Sequence, residues 1–477
     1  MEMYFNSQWR NAKETIPVYY PYDGSFVDTV PVAGPKEVDE AIVSAQRGAK
    51  VMAEMSYWKR AEIIEHASAL LKERKGQFAT TIVKETGKTI TEAFGEIGRS
   101  TLTLSNAAEE AGRMHGETLP LSALNIPNIE KKFGFSFRVP CGVVLAITPF
   151  NVPVNLACHK IGSAFAAGNS VILKPASNTP LSSMLLVQAF LDAGLPEEAI
   201  QCITGSGGTL GQMLAPDNRI RKITFTGSYE VGQQICKLAG MKKVTMELGG
   251  NCPTIVMSDA DPEKVVNALI PAGYGLAGQA CISTQRAFVH ESLYEEIIAK
   301  LHQKLNFVLG DPMDEKTTMG PLIREFDAIR VEQSIHDAGG KGARIVTGGQ
   351  RDGNFIQPAI VADVSKEMTI YQDELFGPAI GFLKFNTFEE AIEGANDTHY
   401  GLSAGIFTEN INTAMQFIRR IESGNAMVNW PSRWRVDHMP SGGIKNSGLG
   451  KEGPKYAIEE LTELRTAIIH LDDLSPF

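Results

Sequence analysis

The chain has 477 residues, 43 % hydrophobic and 21 % charged, and its 45 basic and 55 acidic side chains leave a formal charge of −10. That composition supplies a buried core at a length suited to two or three domains, and excludes a disordered chain, a collagen and a disulfide miniprotein. An acidic balance without long Lys/Arg blocks offers no electrostatic footprint for nucleic acid or anionic lipid, so an anionic ligand must be held by local groups.

Residues 1–10 lack the basic flank and apolar stretch of a secretory signal, and a cytoplasmic address is expected. Helical periodicity covers 37–53 and 57–86. The aromatic/polar alternation of 128–139 suits an exposed strand, which is read, together with a strand over 465–471, as an oligomer arm or as a hairpin covered by its own chain. Residues 139–159 carry no Lys, Arg, Asp or Glu before the end of the run, but Pro140, Pro149, Pro153, Asn151 and Asn155 do not suit a membrane helix. The stretch reads as a buried strand (143–148) ending in a functional loop. Strands at 170–174, 199–204, 222–226, 254–257, 286–290, 344–347, 380–385, 405–408 and 426–429 then alternate with helices at 181–193, 262–277, 292–307, 325–338, 387–396 and 410–421. This is α/β architecture with mainly parallel sheets, two of them, divided at Leu248-Gly249-Gly250-Asn251.

Six cysteines at wide spacings, without Cys-x-x-Cys, indicate reduced thiols rather than a disulfide framework or zinc ribbon, and no metal site is expected. Cys281, in Gly278-Gln279-Ala280-Cys281, stands among small and polar residues where a nucleophile could be reached, although most free cysteines are buried hydrophobes. Glu247 ends a short apolar strand against Gly249-Gly250; it is either a desolvated general base or a surface acid before a turn. Asn151, between Pro149 and Pro153, is either a fixed amide donor for an oxyanion or a turn asparagine.

The glycine-rich Gly205-Ser206-Gly207-Gly208 and Phe225-Thr226-Gly227-Ser228 each follow a strand and open a helix, as a pyrophosphate site requires, but neither is the full dinucleotide fingerprint. Lys174 at a strand end supplies a directed cation. Two decoys are set aside. Gly401-Leu402-Ser403-Ala404-Gly405 has the serine-hydrolase pattern with helix and strand in the wrong order, and Glu85-Thr86-Gly87-Lys88-Thr89 lacks the first glycine of a phosphate loop.

Pro149-Phe150-Asn151, Lys174-Pro175-Ala176, Phe225-Thr226-Gly227-Ser228, Glu247-Leu248-Gly249-Gly250, Gly278-Gln279-Ala280-Cys281, Glu374-Leu375-Phe376-Gly377-Pro378 and Pro440-Ser441-Gly442-Gly443 together resemble the ordered motif set of the aldehyde dehydrogenase superfamily, over nearly the whole chain. Within it the sequence is similar to enzymes for small functionalised aldehydes: lactaldehyde, phosphonoacetaldehyde or succinate-semialdehyde dehydrogenases. The resemblance implies an α/β fold with a Rossmann-type cofactor domain (1–121 and 141–248), an α/β catalytic domain (249–447) and a small β oligomerisation arm (122–140 and 461–477), assembled as a homodimer or homotetramer. It implies Cys281 as the thiolate that forms a thiohemiacetal and then a thioester, Asn151 with the Cys281 N–H as oxyanion donors, and Glu247 as the base for hydrolysis. NAD or NADP would be bound by Ile147, Thr148, Lys174, Ser177, Gly207, Gly227, Ser228, Glu374 and Phe376. Ser177 stands where many NAD-preferring relatives carry Glu, which removes a repulsion of the 2′-phosphate and predicts that NADP is accepted. His159, Arg435, Trp434 and Ser441 would face the substrate, with Arg433 adding a further donor toward an anionic far end; the bland alternative is that both arginines face solvent. Transfer of the thioester to coenzyme A, or a non-catalytic protein on the same fold, remain as rival readings, both disfavoured by Glu247 together with Cys281 and Asn151.

Overall fold

A computed structural model describes residues 1–471; the last six residues of the expected oligomer arm lie outside them. Two parallel-centred sheets organise the chain. The first has eight strands in the order Gln8–Arg10, Met3–Phe5, Ile200–Cys202, Ser170–Lys174, Val143–Ile147, Lys222–Thr226, Lys243–Glu247 and Gly448–Leu449. Its five central strands run parallel, and the edges are closed by antiparallel neighbours from the N-terminus and from Gly448–Leu449. Strand order reverses between Val143–Ile147 and Lys222–Thr226, so a crevice opens beyond the carboxyl ends of these strands.

The second sheet has seven strands in the order Arg344–Thr347, Ala359–Ala362, Ala379–Phe385, Thr284–His290, Cys252–Val256, Ser403–Phe407 and Asn425–Val428, parallel except at its first pair. Buried apolar side chains form two clusters to match. One runs from Met3 to Leu248 and is rejoined by Ile458 and Leu461; the other spans Ile255 to Phe417. Central strands such as Ser170–Lys174 and Cys252–Val256 are buried throughout, which is why their sequences read as apolar runs rather than alternations.

Two expectations change in the structure, and one long helix is added to them. The apolar stretch 139–159 is a strand only to Ile147; Pro153 then stands at the first position of the helix Pro153–Ala166, where its missing N–H costs nothing. The helical span 57–86 divides at Arg74 into Tyr57–Glu73 and Lys75–Thr86. The 22-residue helix Ile90–Ala111, unread in the sequence, begins with a capping box: Thr89 Oγ1 accepts the Glu92 N–H while Glu92 accepts the Thr89 N–H. In the discarded phosphate-loop segment, Glu85 accepts from Leu181 N at 2.8 Å and Ser182 N at 3.2 Å, and so caps the helix Leu181–Asp192. The segment 128–139 does form a strand, Lys132–Pro140, paired antiparallel over its full length with Thr462–His470.

Candidate active site

A cleft of about 790 Å³ opens at the carboxyl ends of the first sheet and is bounded on its far wall by the second. Thr148 follows its strand directly, Lys174 is the last residue of its own, and Gly227-Ser228 follow Thr226, so topology delivers these groups to one mouth. All nine residues expected to bind the dinucleotide line the cleft, together with Asn151 and Cys281. Ser177 Oγ donates to the Gly205 carbonyl at 2.9 Å, and Ser228 Oγ accepts the Val231 N–H at 3.4 Å as cap of the helix Tyr229–Ala239. Glu374 Oε1 accepts the Gly250 N–H at 3.0 Å, and burial pushes its carboxyl up to about 7. A Cβ at Gly249 would stand 2.3 Å from Glu374 Oε2, and one at Gly250 only 2.7 Å from the Cys281 carbonyl. The glycine pair thus lets the backbone between the sheets pass through the site.

Cys281 sits beyond a bend in which Leu276, Ala277 and Gly278 all have left-handed backbones. The Asn151 amide donates through Nδ2 to the Gln279 carbonyl at 2.8 Å, which ties the amide donor to the chain two residues before the thiol. Gln279 Oε1 in turn accepts the Ile323 N–H at 3.0 Å, and Cys252 Sγ donates to the Cys281 carbonyl at 3.3 Å. Burial, then the charges of Glu374 and Glu247, push the Cys281 thiol up to about 12, so it is protonated at rest. Glu247 does not line the cleft. It stands behind it, with Oε1 buried and without a hydrogen-bond partner among the described residues, 2.6 Å from where a Cβ on Gly442 would be. Burial and the neighbouring Glu452 raise its carboxyl well above the ordinary range.

The residues expected to meet the substrate fall into a buried charge network. Arg435 Nη2 pairs with Glu452 Oε2 at 3.2 Å and lies 3.2 Å from His159 Nε2, while Lys160 Nζ pairs with Glu452 Oε1 at 2.8 Å. His159 Nε2 also lies 3.2 Å from Asp437 Oδ1, and Asp437 Oδ2 accepts from Thr103 Oγ1 at 2.8 Å. Burial and Arg435 hold the His159 imidazole below its usual value. Burial opposes the charge on Glu452, but Lys160 and Arg435 outweigh it and keep that carboxyl far below the usual range. Ser441 is buried, and its backbone pairs both ways with Glu452. Trp434 is 48 % exposed. Neither arginine is a solvent-facing one: Arg435 is held as above, and Arg433 Nη1 donates at 2.8 Å to both Pro271 O and Gly275 O.

A thiol and an amide in the cleft of a doubly wound sheet, with a carboxylate behind them, could serve several acyl chemistries; comparison with known proteins decides between them. The model of the aldehyde dehydrogenase family matches residues 9–467. The chain belongs to the aldehyde dehydrogenase family. It is 44 % identical over 470 residues to 3-sulfolactaldehyde dehydrogenase of Priestia megaterium, covering 98 % of both chains. Its fold is similar to aldehyde dehydrogenase 21 of Physcomitrella patens, solved with the reaction product succinate (TM-score 0.95, 36 % identity, 98 % of each chain covered). It is also similar to NADP-dependent glyceraldehyde-3-phosphate dehydrogenase of Bacillus halodurans, solved with NADP (TM-score 0.96, 34 % identity, 99 % of each chain covered).

As a member of that family the chain is an oxidoreductase acting on aldehydes with NAD(P), and its cleft can be tested for a dinucleotide. Thr148 Oγ1 and Thr226 Oγ1 are buried without partners among the described residues, although both line the cleft. Among the described residues Lys174 Nζ donates only to its neighbour Pro175 O, at 2.8 Å, and burial lowers the ammonium to about 8. A Cβ on Gly227 would strike the Phe225 ring at 2.4 Å, so that turn is kept bare. Phe376 meets Phe150 edge to face at 5.9 Å and walls the inner end near Cys281. Hydroxyls, a cation and a carboxylate with spare capacity around an open groove fit ribose and phosphate groups. Sequence reasoning missed Arg324, Arg330 and Tyr400 on the opposite wall, because none belongs to a motif. It also missed Arg99, half exposed, whose nearest acid is Asp437 at 3.7 Å; the signal was hidden in the unread helix Ile90–Ala111.

Proposed function

We propose that this aldehyde dehydrogenase oxidises a small aldehyde with an anionic far end to its carboxylic acid, through a covalent intermediate on Cys281. The observation that carries the reading is the tether of the Asn151 amide to Gln279 O beside Cys281, at the inner end of the dinucleotide cleft. Cys281 passes its proton to solvent water, its sulfur bonds to the aldehyde carbon, and the carbonyl π pair moves onto the oxygen. The oxyanion so formed is met by the second N–H of Asn151 Nδ2 and by the Cys281 backbone N–H, which donates to no other group among the described residues. When bound, the nicotinamide supplies the hydride acceptor. Once the carbon has lost its hydride, Cys281 holds a thioester. Glu247 then takes a proton from water, the water oxygen bonds to the thioester carbon and the thiolate leaves, releasing the acid. Glu247 and Cys281 both hold protons at rest, so kcat/KM climbs as pH rises above neutrality. Glu247→Gln should remove deacylation while leaving a single-turnover burst of reduced cofactor. A full loss of that burst would remove the assigned role.

Lys174 with spare N–H groups and Ser177 in place of an acid support NADP as a cofactor; a kcat/KM for NADP far below that for NAD would refute this. For the substrate, Arg435 Nε is buried without a partner among the described residues, and Arg99 stands beside Asp437 with no closer acid among them. The three similar proteins carry, in their names or bound product, a sulfonate, a carboxylate or a phosphate beyond the reacting carbon. A sulfonated or carboxylated aldehyde of three or four carbons is therefore the expected substrate. Arg99→Ala and Arg435→Ala should raise KM for such an aldehyde by about tenfold while leaving KM for propanal nearly unchanged; equal effects on both would sink the anionic assignment.

Phe133 and cross-strand Ile469 on one face of the two-stranded ribbon, and Leu464 and Ile468 on the other, are each more than 40 % exposed, apolar surface that suits a second copy of the chain. A homodimer or homotetramer is the expected assembly, and a monomeric mass by light scattering would overturn it. The split of the core at Leu248 and Ile255 supports the division into cofactor and catalytic domains at 248/249.

A further inference from the structure

The bend before Cys281 passes through three consecutive left-handed residues, Leu276 (φ 58°), Ala277 (φ 51°) and Gly278 (φ 71°). Two of them carry a Cβ, and such residues keep this conformation only where their surroundings hold it. The peptide unit entering the bend is Gly275–Leu276, and charged side chains from distant parts of the chain hold both of its polar groups. The Gly275 carbonyl accepts Arg433 Nη1 at 2.8 Å, and the Leu276 N–H donates to Glu92 Oε1 at 2.7 Å. A cation on the oxygen and an anion on the N–H act in the same sense on one peptide, and both bonds are charge-assisted.

Each side chain is itself fixed. Arg433 Nη1 also donates to Pro271 O at 2.8 Å, closing the carboxyl end of the helix Pro262–Tyr274, where a cation is favoured. A Cβ on residue 275 would lie 2.5 Å from Arg433 Nη1, so the contact needs glycine there. Glu92 Oε2 accepts Thr89 N and Thr89 Oγ1, both at 3.1 Å, at the start of the helix Ile90–Ala111. One turn further on, Glu96 Oε1 accepts Val154 N at 2.8 Å and Asn155 N at 3.1 Å, at the start of the helix that follows Asn151. A single helix therefore holds the nucleophile loop by one carboxylate and the loop of the amide donor by the next.

We infer that Glu92 and Arg433 are positioning residues for the nucleophile: they clamp the Gly275–Leu276 peptide and so set where Cys281 stands relative to Asn151. The inference rests on Cys281 being the nucleophile, and it makes Arg433 a backbone clamp rather than a substrate anion binder. The test uses the full-length enzyme and Glu92→Ala, Glu92→Gln, Arg433→Met and the double variant Glu92→Ala/Arg433→Met. Steady-state rates are measured with a neutral and an anionic aldehyde, and Cys281 alkylation by iodoacetamide is followed across pH. The clamp requires kcat to fall about tenfold or more in Glu92→Ala and Arg433→Met with both aldehydes, KM to move less than about twofold, and the alkylation profile to shift. Glu92→Gln, whose amide oxygen still accepts the Leu276 N–H, should keep kcat within about threefold, and the double variant should be little worse than the poorer single one, since both act on one peptide. A KM rise confined to the anionic aldehyde in Arg433→Met overturns the clamp, as does an unchanged kcat and alkylation rate in Glu92→Ala. Should either variant fail to fold, Gly275→Ala, which drives the guanidinium off the peptide without removing a charge, must show the same loss of kcat or the clamp falls. Failure of iodoacetamide to inactivate the unaltered enzyme is a separate result, and sinks the nucleophile assignment instead.

Discussion

The two sides of Cys281 treat their charged groups differently. On the dinucleotide side, Thr148, Thr226 and Lys174 keep hydrogen-bonding capacity that the described residues do not use. Behind the thiol, the charges are paired with one another, Glu452 with Lys160 and Arg435 and Asp437 with His159, although Glu247 Oε1, Arg435 Nε and Asp437 Oδ1 stay without a hydrogen-bond partner among the described residues. The difference teaches where each side's energy goes. Open groups in a cleft raise the free energy of the empty protein and are repaid when a ligand completes them, whereas a matched network acts on folding itself.

Substitutions of a cleft group and of Lys160, which has no substrate role, should therefore separate activity from stability. The largest effect is expected at the boundary: Cys281→Ser should lower aldehyde oxidation by at least about 1000-fold with an unchanged melting temperature, measured by cofactor reduction at 340 nm and by calorimetry. Next is Lys160→Met, which leaves the Glu452 charge buried with Arg435 alone and should cost about 3–5 kcal/mol in denaturant unfolding. If that loss were no larger than the loss in Thr226→Val, the contrast between the two sides would be wrong. Lys174→Met should weaken NADP binding by about 1.5–3 kcal/mol and leave stability level or slightly improved, because a buried ammonium is removed. Titration calorimetry would read this, and a large fall in melting temperature would count against it.

The smallest effect is a slope. Burial pushes the Glu85 carboxyl up to about 8. An ordinary glutamate in the unfolded chain loses its proton near pH 4.3. Between these values the folded form keeps a proton that the unfolded form releases, so this residue's contribution to stability is lost as pH rises from the ordinary carboxylate range to about 8. Glu452 and Asp437 have the opposite sign: held low in the fold, they contribute stability above the ordinary carboxylate range and lose it in acid. Glu85→Gln should flatten the decline in melting temperature toward pH 8 without altering the acid limb.

Much of the cleft side was legible in the residues. The strand 170–174 is found at the expected bounds and ends on Lys174, and Ser228 caps a helix after Thr226-Gly227, because backbone chemistry at a strand-to-helix turn is local. The back of the site was not. His159 and Arg435 do come together, but Glu452, Lys160 and Thr103 reach the same place from helices and turns that no motif marks. The helix Ile90–Ala111 was missed although Thr89 and Glu92 spell a capping box, and with it went Arg99 and both carboxylates that hold the site's loops.

The order of residues alone determined the alternation of strands and helices and the glycines that let the chain pass through the cleft, and it marked the thiol, amide and carboxylate proposed to act there, since each depends on neighbours a few positions away. Tertiary structure alone decided which charges would be spent on one another. Lys160 and Glu452 are 292 positions apart, and Thr103 and Asp437 are 334 apart. Coulomb attraction and hydrogen bonding depend on distance in space and on the exclusion of water, and no pattern along the chain carries either before it folds.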